Sequence, residues 1–165
     1  MTIVVGVDGS PGGDDALRFA LTEARLRKSR LQVVHAYQLP RVPVPDAGNG
    51  AAGFAPPAVF SPEEADRLEG AARAEAEGII ESALARVGRN AAEGVEIEPA
   101  AIVGAPAQIL IESGRDAELL VVGSRGHGGF VGLLLGSVSQ QCAQHPPCPV
   151  VILPPPEESP AARDA

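Results

Sequence analysis

The chain has 165 residues, 45% of them hydrophobic, enough for one sizeable core and too few for two full domains. A formal charge of −8 argues against nucleic acid as a partner, because phosphate contacts need clustered Lys and Arg. No apolar run approaches the roughly 18 residues of a membrane span and no basic segment precedes an apolar leader, so a cytoplasmic protein is expected, and two cysteines, Cys142 and Cys148, suit a reducing compartment.

In chain order, the apolar run at residues 3–7 reads as a buried strand, and Asp8-Gly9-Ser10-Pro11 after it as a turn that caps a helix over residues 14–29. A second strand is expected at residues 31–35. Residues 39–60, rich in Pro and Gly, then form a long loop, functional or disordered. Ser61, Pro62 and Glu64 spell a capping box that opens a helix running to Gly88. A third strand at residues 100–103, with a lead-in from Val95, precedes a helix over Pro106–Ser113. A fourth strand at residues 119–122, a helix at residues 137–143 and a fifth strand at Val150–Leu153 complete the pattern, and residues 154–165 read as a disordered tail.

Strands alternating with helices imply a parallel sheet with right-handed crossovers, and five strands are too few for an eight-stranded barrel. The expected fold is therefore α/β: a five-stranded parallel open sheet, doubly wound and Rossmann-like, occupying residues 1–153 as a single domain. In such sheets ligands sit beyond the carboxyl ends of the strands where the winding reverses.

The fourth strand leaves through Gly123-Ser124-Arg125-Gly126-His127-Gly128-Gly129, and Gly136-Ser137-Val138-Ser139 opens the next helix. Glycine lets backbone N–H groups approach phosphate oxygens, a helix start adds partial positive charge, and Ser137 and Ser139 carry hydroxyl donors. Neither the P-loop pattern nor the dinucleotide glycine spacing is present. The spacing is Gly-x2-Gly-x9-Gly-Ser, with glycines at 123, 126 and 136.

That spacing, together with IVVGVDGS at residues 3–10, VVHAY at residues 33–37 and HPPCPVVIL at residues 145–153, resembles the ATP-binding branch of the universal stress protein family. The resemblance implies the strand order 3-2-1-4-5 and ATP as ligand. It sets Gly6, Val7 and Asp8 against the nucleoside, Ala36 at the adenine through its backbone, and Val103 on the base. Gly123, Gly126 and His127 are implied near ribose and phosphates, with Gly136, Ser137, Val138 and Ser139 completing the phosphate site. Asp8 either bonds a ribose hydroxyl or helps hold Mg²⁺. Family likeness also implies a homodimer through Val150–Leu153, an apolar edge that Pro154 and its neighbours terminate.

The expected function is a nucleotide-responsive regulatory dimer with an unknown protein partner; the alternatives are a slow Mg-dependent ATPase and a stress dimer that no longer uses nucleotide. No catalytic residue is assigned, since no GxSxG elbow occurs and His127 has no evident orienting acid. Cys142, His145 and Cys148 lack a fourth zinc ligand, and His35 and His145 read as structural. Residues 39–60, with Phe54 and Phe60, are expected to act as a lid that orders on ATP, with Tyr37 within reach of the adenine.

Overall fold

A computed structural model describes residues 1–39, 61–126 and 135–155; the calls on residues 40–60, His127 and residues 156–165 lie outside it. The elements are β1 (Thr2–Gly6), α1 (Pro11–Arg27), β2 (Arg30–Tyr37), α2 (Pro62–Val87), α3 (Arg89–Ala92), β3 (Ile97–Val103), α4 (Pro106–Ser113), β4 (Leu119–Gly123), α5 (Ser137–Gln144) and β5 (Val150–Leu153). All strand pairs are parallel and the sheet order is β3-β2-β1-β4-β5, as expected.

The apolar runs have no polar face because the sheet is covered on both sides. Ile3, Val5, Leu31, Val33, Leu119 and Val121 pack with Leu17 and Leu21 of α1 and Ile80 of α2. Their alternates Val4, Val34, Leu120 and Val122 pack with Ile109 and Leu110 of α4 and Cys142 of α5. Leu17 and Leu31 are fully buried, each contributing roughly 2 kcal/mol of transfer free energy. Helices α1 and α2 therefore cover one face, α4 and α5 the other. The winding reverses between β1 and β4.

The capping box of α2 forms as its sequence predicts: the Glu64 N–H donates to Ser61 Oγ and the Ser61 N–H to Glu64 Oε2, while Gly88 closes the helix. Three expectations are corrected. First, α1 begins at Pro11, because Ser10 is the N-cap and accepts from the Gly13 N–H. Second, β2 and β3 are longer than their apolar runs, since pairing from Leu31↔Ile97 to Tyr37↔Val103 recruits polar residues and Pro99, which an edge strand tolerates. Third, the short α3 went unforeseen. The Arg25 guanidinium of α1 donates to the carbonyls of Asn90, Ala91 and Glu93 at its C-terminal end, where helix carbonyls lack partners.

The two helices on the first face are tied where α1 starts and α2 ends. Arg86 donates from Nε and Nη2 to the two Asp14 oxygens, at 2.7 and 2.9 Å. Those bonds raise the Arg86 pKa against a smaller desolvation effect. Asp14 also sits in the first turn of α1, where a carboxylate complements the helix dipole. Arg86→Ala strands a carboxylate whose side chain is only 10% exposed, but the 43% exposure of Arg86 screens the pair. The expected loss is about 1 kcal/mol, below the cost of breaking a fully buried pair. Urea denaturation reads this directly, and an unchanged midpoint contradicts the assigned role.

Candidate functional site

The site is built from the exits of β1 and β4. After Gly6 the Val7 N–H donates to the Val34 carbonyl at 2.9 Å, carrying the ladder one residue beyond β1. The Val7 carbonyl faces His35 Nδ1 at 2.8 Å. Asp8 then braces the helix cap: its Oδ1 accepts from both the N–H and the hydroxyl of Ser10, whose Oγ in turn accepts from the Gly13 N–H.

The start of α1 fits against the exit of β4 only because both are glycine. A Cβ on Gly123 would lie 2.9 Å from the carbonyl carbon and oxygen of Gly12, and one on Gly12 2.9 Å from the Arg125 carbonyl. Those obstacles are backbone and have no rotamer to yield. Asp8 occupies the adjoining gap, where a Cβ on Gly126 would meet Oδ2 at 2.2 Å and one on Gly13 would meet Oδ1 at 2.9 Å. Gly12 and Gly13 were missed as site residues, although two glycines in the first turn of a helix, a costly choice for propensity alone, were the available signal.

Beyond β4 the exit of the strand is stapled to the start of α5. The Ser124 carbonyl accepts from the Gly136 N–H at 2.7 Å and from the Ser139 hydroxyl at 2.8 Å. Ser139 is 2% exposed and also lies 3.0 Å from the Gly136 carbonyl, so its proton is directed into the protein backbone. Ser137, by contrast, is exposed at the first position of α5. The Ser124 hydroxyl, on a residue 4% exposed, has no hydrogen-bond partner among the described residues.

The two helix starts at this rim differ electrostatically. At α1 the first turn is capped by Ser10 and faces the Asp8 carboxylate. At α5 the N-cap is Gly136 and no side chain caps it; the first helical bond runs from the Gln140 N–H to the Gly136 carbonyl. The N–H groups of Ser137, Val138 and Ser139 therefore have no partner within the helix. Helix α4 also lacks a side-chain cap, but opens on Pro106, which has no N–H.

A cavity of about 480 Å³, a size suited to small-molecule ligands, opens between these elements. Gly6, Val7, Asp8, Ala36, Gly123, Gly126, Gly136, Ser137, Val138 and Ser139 all line it, so the structure brings together ten of the sequence-predicted residues. Val103 is not among its lining residues; it ends β3 opposite Tyr37 and is 44% exposed. Val34, Leu110 and Val122 supply apolar wall, and His35, Ser124 and Arg125 polar wall, none of which was singled out beforehand as a ligand contact. Among the described residues that line it, Asp8 is the one acid.

No group of three or more His, Cys, Asp or Glu side chains poised for a metal occurs among the described residues. Cys142 is wholly buried in the α4–α5 core, and burial pushes its thiol pKa up. Among the described residues no helix is long and apolar enough to cross a membrane.

The model of the universal stress protein family matches residues 1–154. A universal stress protein of Thermus aquaticus is 34% identical over 155 residues, covering 92% of this chain and 97% of that protein. One of Mycobacterium tuberculosis is 35% identical over 154 residues, but this chain spans only 46% of its length. Among solved structures, a universal stress protein in complex with cAMP is 28% identical with a TM-score of 0.53, covering 93% of this chain and 95% of that one. A universal stress protein of Archaeoglobus fulgidus in complex with dAMP is 25% identical with a TM-score of 0.51, covering 92% and 96%. The family model and the full-length match to the Thermus aquaticus protein establish that the chain belongs to the universal stress protein family.

Proposed function

We propose that this chain binds ATP in the cavity between β1, β4 and α5 and works as a nucleotide-responsive regulatory homodimer. The observation that carries the reading is the uncapped start of α5, whose N–H groups, with the exposed Ser137 hydroxyl, border the same cavity as the close-packed Gly123 and Gly126. A protein of net charge −8 attracts an anion only through such local donors, and Arg125 adds a cation to that wall. Gly6, Val7, Asp8 and Ala36 form the opposite wall, where the nucleoside sits in this reading.

The cAMP and dAMP complexes of two family relatives support an adenine nucleotide. The donors at Gly126 and at Ser137, Val138 and Ser139, which line one cavity, favour a longer phosphate chain than either carries. Mg²⁺ fits as a companion of those phosphates, since it is commonly held by one or two carboxylates together with substrate oxygens, and Asp8 lines the cavity. The dimer in this proposal forms through β5, an edge strand with Val150 to Leu153 all partly exposed.

Mass spectrometry of nucleotide released by denaturing the purified protein, with calorimetry against ATP, tests the ligand; no retained nucleotide and no heat with ATP refute it. Gly126→Ala, which drives a methyl group into Asp8 Oδ2, is expected to weaken ATP about tenfold while costing under about 1 kcal/mol of stability. Light scattering at micromolar concentration is expected to give twice the 16.8 kDa of one chain, and a single-chain mass removes the dimer from the proposal.

A further inference from the structure

We infer that His35 is a specificity-determining residue that selects the nucleoside end of the ligand by accepting a hydrogen bond at Nε2; this rests on the nucleotide reading above. His35 Nδ1 stands 2.8 Å from the Val7 carbonyl. A carbonyl only accepts, so Nδ1 carries a proton, and the tautomer this bond selects has Nε2 as its lone-pair acceptor. Among the described residues none hydrogen-bonds Nε2. His35 is partly buried and lines both the main cavity and a second space of about 210 Å³ between β2 and α2, lined by Tyr37, Gln38 and Glu75 among others.

Ionised phosphate oxygens are acceptors and find nothing to bond at such a nitrogen. The chemistry it recognises is an N–H or O–H donor: the exocyclic amine of a purine or a ribose hydroxyl. With the Asp8 carboxylate on the same side of the cavity, the β1–β2 wall presents acceptors and the α5 wall presents donors. A nucleotide accordingly enters in one sense only, nucleoside over β1 and β2, phosphates over α5. Because Val7 fixes the ring, His35 contributes its acceptor with little loss of side-chain freedom.

Two amide substitutions separate the ring nitrogens. His35→Asn keeps a donor near the Val7 carbonyl and removes the acceptor at Nε2, whereas His35→Gln reaches the Nε2 position and gives up the Val7 bond. Calorimetry is run with ATP, 2′-deoxy-ATP, 3′-deoxy-ATP and purine riboside triphosphate, which lacks the 6-amino group. Wild type is expected to bind one of these analogues about tenfold more weakly than ATP, which identifies the donor. His35→Asn is expected to bind ATP about tenfold more weakly at an unchanged melting temperature and to lose its discrimination against that same analogue. His35→Gln retains the discrimination. If His35→Asn binds ATP as wild type does, or if wild type distinguishes none of the analogues, the inference is overturned even where the site does bind ATP. A wild type that binds no nucleotide overturns the underlying reading as well.

Discussion

The contact on which the site depends is backbone against backbone. Gly12 at the start of α1 and Gly123 at the end of β4 have no room for a Cβ, the first against the Arg125 carbonyl and the second against the Gly12 carbonyl. Fixing these two exits fixes the width of the crevice between β1 and β4, the point where the sheet reverses its winding. Asp8 is held in the adjoining gap by Ser10, with Gly13 and Gly126 on either side. One carboxylate thereby braces the serine that caps α1, lies against two glycines and lines the cavity.

From that contact the electrical character of the site follows. The start of α1 is satisfied within the protein, by Ser10 and next to Asp8, so it offers little to an anion. The start of α5 is left with its N–H groups uncapped, and the staple from Gly136 and Ser139 to the Ser124 carbonyl holds it beside the β4 exit. Two helix starts at one rim thus have opposite roles, set by whether the residue before the helix is serine or glycine. Ser139 belongs to the staple, which gives the three glycines and two serines of the motif unequal tasks: Ser137 is exposed, and Ser139 ties α5 to the β4 exit.

Much of this was legible in the sequence, for physical reasons that differ by residue. β1, β4 and β5 announced themselves as unbroken runs of Val, Ile and Leu, and Ser61-Pro62-x-Glu64 announced α2 because capping is local chemistry. Contacts made at long range were not legible. The four-residue α3 is held by Arg25, more than sixty positions away in the chain. The polar ends of β2 and β3 are strand only because they pair with each other. Gly12 and Gly13 read as poor helix formers until the β4 exit was placed against them, and the partner of His35, the Val7 carbonyl, lies on another strand and could not be read from the sequence.

The central claim is that the uncapped start of α5 receives the phosphates of a nucleotide. Amide ¹H–¹⁵N spectra of the assigned protein, titrated with ATP, address it at the atoms concerned. Binding as described predicts the largest shifts at the N–H groups of Ser137, Val138 and Ser139, with smaller ones at Val7 and Asp8. Saturable binding that leaves those three amides unmoved would contradict it.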